Sequence, residues 1–258
     1  LGWSAAFLLR QKPLNCMDPY DRAFIELGDH TGPGFVYPLL DRLTTVVDAS
    51  AACMHCIEGC SDCCSQQVLV GYAEWEILHR WILEHMDDSA QRSVVDRAKN
   101  MLEDDRTSLP TWVALKDQDD STDTYLKTIN LALENQATPC PFLVDGRCSV
   151  YEARPSICRA YGRMMRTSDS AYYCDKILGQ MTGADSVHED LELPVFQGYH
   201  RAVLDRGNGR LDEVNILPVW VLAHTAEDNT LRTPTHRVLP SSIFPVVDGY
   251  WAFDDGGE

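Results

Sequence analysis

Nowhere in these 258 residues do apolar side chains run long enough to cross a membrane. The longest such stretches are "AAFLL" at 5–9 and "ILPVWVLA" at 216–223, the second interrupted by Pro218, against the ~20 residues a spanning helix needs. Positive charge is also scarce: 22 Lys and Arg stand against 39 Asp and Glu, a net charge of -17. A surface that acidic repels phosphate, so nucleic acid and membrane are not expected partners, and a soluble, cytoplasmic protein is. Nor is there an internal repeat, a low-complexity block or a clean linker, which favours a single domain over 1–258. A nucleotide fingerprint is missing as well. "DRGNGR" at 205–210 lacks the preceding strand and reads as a helix stop, and the three-cysteine spacing of radical enzymes is absent. The sequence begins at Leu1 rather than Met, which leaves room upstream for further residues, a cleaved targeting segment included.

What is present reads as helix. Asp18 caps "DPYDRAFIEL" with Pro19 at its first position, and "HTGPG" at 30–34 breaks the chain before "VYPLLDRLTTVVDASAA". "VLVGYAEWEILHRWILEHM" opens as a short strand and continues as an amphipathic helix. Tyr72, Trp75, Leu78, Ile82 and His85 or Met86 share one side, with His79 and His85 as packing or solvated residues rather than ligands. Two more helices, 87–105 and 120–136, enter through Asp/Ser caps and serve as scaffold. "LPVFQGYHRAVLDRG" follows as a helix stopped at Gly207, then the apolar "VNILPVWVLAHT", then a β-like "FPVVDGYWAF".

The cysteines break this ordinary pattern. Five of the ten fall within "CMHCIEGCSDCC" at 53–64, and the others are Cys16, Cys140, Cys148, Cys158 and Cys174. A chain with 45% hydrophobic residues can bury a core without crosslinks, and the adjacent pair Cys63-Cys64 cannot readily close on itself, so disulfides explain little. A cysteine nucleophile, with His55 or His79 as base, would account for one thiol and leave nine. Thiolates converging on a soft metal account for most of them, since such ligands select zinc, copper(I) or iron–sulfur clusters over hard cations. Gaps of the Cys60-to-Cys63 kind suit closed zinc sites and clusters alike.

The second constellation is "CPFLVDGRCSVYEARPSICRAYGRMMR" at 140–166. Asp145-Gly146 predicts a two-residue hairpin that pairs Leu143 with Cys148, and Pro141 bars a regular ladder at Cys140. Pro155 suits the first turn of a helix "PSICRAYGR", on which Cys158, Tyr161 and Met165 would share a face. Five arginines (Arg147, Arg154, Arg159, Arg163, Arg166) accompany one acid, Glu152, between 147 and 166. Guanidinium groups beside thiols favour the thiolate and offset its charge; the same arginines would also serve a partner or an anionic substrate. Arg154, Arg159, Tyr161 and Arg163 are the candidates for lining a pocket, if there is one.

"CIEGCSDCC", followed by "CPFLVDGRCSVYEARPSICRAY" and a later lone cysteine, resembles the zinc- or iron-chelating cysteine-cluster family known as CxxCxxCC or YkgJ-like, over roughly 56–174. The resemblance implies a metal ion or cluster, zinc or iron–sulfur, held by Cys56, Cys60, Cys63 and Cys64 from the first motif and Cys140, Cys148 and Cys158 from the second, with Cys174 as the trailing cysteine. Three residues separate Cys56 from Cys60 where the family usually has two, and Cys53 competes with Cys56 as first member. Cys16 reads as a free buried thiol. The similar flagellin lysine methylase group makes a cluster-dependent protein-modifying enzyme the alternative activity, with a protein or peptide as its unnamed partner. The expected fold is mainly α with a small β-hairpin (α+β), one compact domain built around a cysteine-rich metal or cluster site. Its core would span about 53–174, between flanks 1–52 and 175–258.

Overall fold

The computed structural model describes residues 31–50, 60–103, 139–167, 170–171, 194–206, 212–233, 237–239 and 244–245. The elements are, in chain order, α1 (Pro33–Ser50), β1 (Leu69–Gly71), α2 (Tyr72–His85), α3 (Asp88–Glu103), β2 (Leu143–Val144), β3 (Arg147–Cys148) and α4 (Ser156–Ala160). They continue with β4 (Met165–Thr167), β5 (Ser170–Ala171), α5 (Phe196–Leu204), β6 (Glu213–Ile216), α6 (Leu217–Ala223) and β7 (Phe244–Pro245). The fold is mainly helical with small antiparallel sheets, an α+β arrangement. No helix among the described residues is long and apolar enough to cross a membrane. The helices expected at 18–27 and 120–136, and the stop at Gly207, lie outside the described residues. The contacts divide the chain into two compact units, one from Leu1–Ile57 with Ser156–Arg210 and the other from Glu58–Pro155 with Leu211–Glu258.

In the first unit α1 begins at Pro33, as the Gly/Pro break requires: Gly32 takes φ 87°, a left-handed conformation that suits glycine, and its N–H donates to the Ala202 carbonyl at 2.8 Å. Val36, Leu40 and Val47 are buried on α1, as are Phe196, Tyr199 and Val203 on α5. Tyr37, Asp41 and Asp48 recur at helical spacing along α1 and meet the arginines of α4 and the turn after it. Arg159 Nη1 lies 2.7 Å from both Asp41 carboxylate oxygens, with its guanidinium 4.4 Å from the Tyr37 ring centre, and Arg163 Nε donates to Asp48 at 2.8 Å. Two of the five clustered arginines therefore serve ion pairs within this unit. The helix carrying Cys158 is shorter than the sequence suggests. It ends at Ala160, Gly162 turns the chain at φ 80°, and Met165 falls in β4, so Met165 does not share a helical face with Cys158 and Tyr161. Gly162 stops the helix because its positive φ is cheap there.

The second unit is built from two strand-to-helix transitions. β1 runs directly into α2 and β6 directly into α6, and the strands pair antiparallel with Leu69 opposite Ile216 and Gly71 opposite Val214. β7 adds on the other side of β6, pairing Phe244 with Val214. Pro218 belongs to the first turn of α6, where its missing N–H would have had no helical acceptor. Asp212, just ahead of β6, accepts the Ala73 N–H at 2.5 Å and so closes the exposed start of α2. Asp87 does the same for α3 through the Ala90 N–H at 2.8 Å.

One core joins these pieces. Trp75, Leu78 and Ile82 from α2, Val94, Val95 and Ala98 from α3, and Trp220 and Val221 from α6 pack with Phe142, Val150 and Ala153 of the cysteine segment. The indoles of Trp75 and Trp220 stack at 6.3 Å. Trp220 Nε1 donates to the Val70 carbonyl at 2.9 Å and Trp75 Nε1 to His224 Nδ1 at 3.1 Å, so neither buries an unsatisfied N–H. His79 stacks on Trp75 at 5.2 Å and meets His224 edge-on at 5.0 Å, while His85 is exposed, so His79 packs and His85 is solvated.

Burial, with His224 beside it, pushes the His79 pKa down to about 4. Burial also lowers His224, and it brings His200 of the first unit to about 3. Each is depressed below the ordinary value near 6.5, so their contribution is complete above that pH and is lost as the unfolded chain takes up protons first. The urea midpoint should therefore fall between pH 7 and pH 4.5, and His79→Phe should reduce the fall; equal pH dependence in the two proteins would remove His79 from the account.

Candidate metal centre

The hairpin forms where Asp145-Gly146 predicts it. Leu143 pairs Cys148 and Val144 pairs Arg147, with Asp145 at φ 49° and Gly146 at φ 75°, the two positive values that a tight hairpin turn requires. Its ladder goes no further in regular form: the Ser149 N–H and hydroxyl both donate to the Phe142 carbonyl at 2.9 Å. Cys140 departs as its neighbour Pro141 demands. Its N–H turns away from the hairpin and donates to the Cys64 carbonyl at 2.7 Å, while its carbonyl accepts the Leu143 N–H at 2.9 Å.

Cys63 and Cys64 lie in a single 3₁₀ turn, Asp62–Ser65, entered through the Cys64 N–H to Ser61 carbonyl bond at 2.9 Å. That turn is what a two-residue cysteine gap provides. Cys60, Cys63, Cys64, Cys140 and Cys148 are unbridged and partly buried, all in the second unit. Cys158 is also unbridged and partly buried, in α4 of the first unit, and Cys16, Cys53, Cys56 and Cys174 lie outside the described residues.

The thiols sense one another. A side-chain hydrogen bond with Cys64, then burial, pushes the Cys63 thiol far above the ordinary range. Burial, with the Cys148 and Cys63 thiols nearby, raises Cys140 to about 12, and burial with Cys63 nearby raises Cys148. Two guanidinium groups oppose these shifts. Arg154 favours the thiolates of Cys63 and Cys148; it is fixed over the Tyr151 ring at 3.5 Å and donates from Nε to the Tyr151 carbonyl at 2.8 Å. Arg97, from the middle of α3, favours the thiolate of Cys140. Burial lowers the pKa of Arg97 itself, while Cys140 and Asp96 work to keep it charged.

Buried thiols with thiol neighbours give up their protons only to a strong positive charge, and a thiophilic cation supplies one. The donor chemistry therefore fits a soft metal. Among the described residues, no three His, Cys, Asp or Glu side chains are arranged to hold a metal ion, so the sulfurs are neighbours without forming a closed ligand set.

Partly buried thiols on a tight turn and a hairpin, flanked by arginines, make this a cysteine-rich segment with the donor chemistry of a soft-metal ligand set. Residues 55–175, a little under half of the chain, match the model of the CxxCxxCC family, described as a "putative zinc- or iron-chelating domain", over a stretch that includes both cysteine motifs from Cys56 to Cys174. Neither the curated proteins nor the solved structures contain a match to the chain.

Arg97 is the residue the sequence did not reveal. It lies in a helix that reads as scaffold, far from either motif, and its residue type is the same as that of the exposed Arg92 five residues earlier. Gly146 offers a direct check on the hairpin. A methyl group there would meet nothing within 4 Å, so Gly146→Ala tests backbone conformation alone. It should cost about 1–2 kcal/mol in urea unfolding. An unchanged midpoint would mean that the turn does not hold Cys148 in place.

Proposed function

We propose that this chain binds zinc or iron through a thiolate centre drawn from Cys60, Cys63 and Cys64 of the first motif and Cys140 and Cys148 of the second. The observation that carries this reading is the 2.7 Å hydrogen bond from the Cys140 N–H to the Cys64 carbonyl, which sets the backbones of the two motifs side by side. Electrostatic coupling of Cys63 to Cys64, Cys140 and Cys148 supports it, as does the family description. Cys64 and Cys140 belong to different motifs, so a centre using both crosslinks the fold as a disulfide would, without requiring an oxidising compartment. Five thiols exceed the four a closed zinc site takes, which leaves both zinc and an iron–sulfur cluster open to this donor set.

Metal analysis and the visible spectrum of protein purified without oxygen test the proposal. Zinc in a colourless sample would identify a closed structural site, and iron in a brown one a cluster. Cys63→Ser and Cys140→Ser should each lower bound metal severalfold and lower the unfolding midpoint, because binding at such sites is coupled to folding. Fully reduced protein that takes up neither zinc nor iron would refute the proposal.

A further inference from the structure

The backbone at Cys140 is tied at three points. Its N–H reaches Cys64, its carbonyl is held by Leu143, and the next carbonyl, that of Pro141, accepts a hydrogen bond from Arg97 Nε at 2.6 Å. The third tie crosses from a separate helix. α3 is a firm base for it, because Val94, Val95 and Ala98, on either side of Arg97, are buried in the same core as Phe142. The Arg97 side chain is half-buried, and its guanidinium is an electrostatic neighbour of the Cys140 thiol.

We propose that Arg97 is a positioning residue of the thiolate centre: it fixes the Cys140–Pro141 segment through the Pro141 carbonyl and sets a permanent positive charge beside the Cys140 sulfur. The two parts are separable in chemistry. A guanidinium does both, since its planar fork donates in a fixed direction and it stays charged; an ammonium supplies the charge as a point without that direction; an apolar side chain supplies neither. Outer-shell groups of this kind orient ligands and tune how strongly they bind. Arg154, held against Tyr151, is the corresponding cation near Cys63 and Cys148.

The inference rests on the metal-binding reading, and two measurements on the full chain keep them distinguishable. The first is zinc affinity by competition with a chelator, for wild type, Arg97→Met, Arg97→Lys and, as a control on the same helix, Arg92→Met. Arg97→Met should bind zinc about ten- to a hundredfold more weakly. Arg97→Lys should recover part of the loss, and Arg92→Met should match wild type. The second is amide hydrogen exchange in the reduced, metal-free protein, where Arg97→Met should speed exchange at Cys140, Phe142 and Leu143 and leave α2 unchanged. Should Arg97→Met fail to fold, Arg97→Gln takes its place with the same expectations. Zinc affinity within about twofold of wild type in the uncharged variant would overturn the inference. If wild type binds no metal, the functional reading fails, and the exchange measurement alone decides whether Arg97 positions Cys140; unchanged exchange overturns that as well.

Discussion

The hydrogen bond from the Cys140 amide to the Cys64 carbonyl is the contact on which the organisation of the cysteine centre depends. A backbone bond between partly buried segments far apart in sequence demands that both be held still, and each is. The first lies in a 3₁₀ turn that leads into β1; the second is followed by a hairpin whose Phe142, Val150 and Ala153 are part of the core under α2, α3 and α6. The core thus does more than stabilise the unit. It sets the distance between two sets of sulfurs.

Bringing thiols together out of water has an electrostatic consequence. Burial and mutual proximity raise the pKa values of Cys63, Cys140 and Cys148, so without a compensating charge the protonated thiol is the preferred form. Arg97 and Arg154 compensate in part. The remainder is what a bound cation would supply, and this couples metal affinity to the packing that buries the sulfurs. Two further arginines of the 147–166 cluster differ from Arg154: Arg159 and Arg163 meet Asp41 and Asp48 on α1, so the local excess of positive charge in the sequence resolves into at least two separate uses.

Much of this was legible because the signals are local. Asp145-Gly146 fixes a turn by its own backbone preferences, and the register that follows, Leu143 opposite Cys148, is the one observed. The apolar spacing of Trp75, Leu78 and Ile82 predicts the buried face of α2. Pro141 predicts that Cys140 leaves the ladder, though not where its amide goes. What could not be read depends on partners distant in the chain. The pairing of Leu69 with Ile216, the capping of α2 by Asp212 and the reach of Arg97 to Pro141 are set by how helices pack, and no short stretch of sequence records them. The helix expected over "PSICRAYGR" is shorter for a local reason: Gly162 lies inside that stretch, and its positive φ ends the helix after Ala160.

The central claim is that the two cysteine motifs share one metal centre, and thiol protection tests it most directly. Metal-loaded protein would be alkylated briefly under native conditions and each cysteine scored by mass spectrometry, before and after metal removal with a chelator. Cys63, Cys64, Cys140 and Cys148 should be protected together and lose protection together. Protection confined to one motif, with the other equally reactive in the presence and absence of metal, would contradict it.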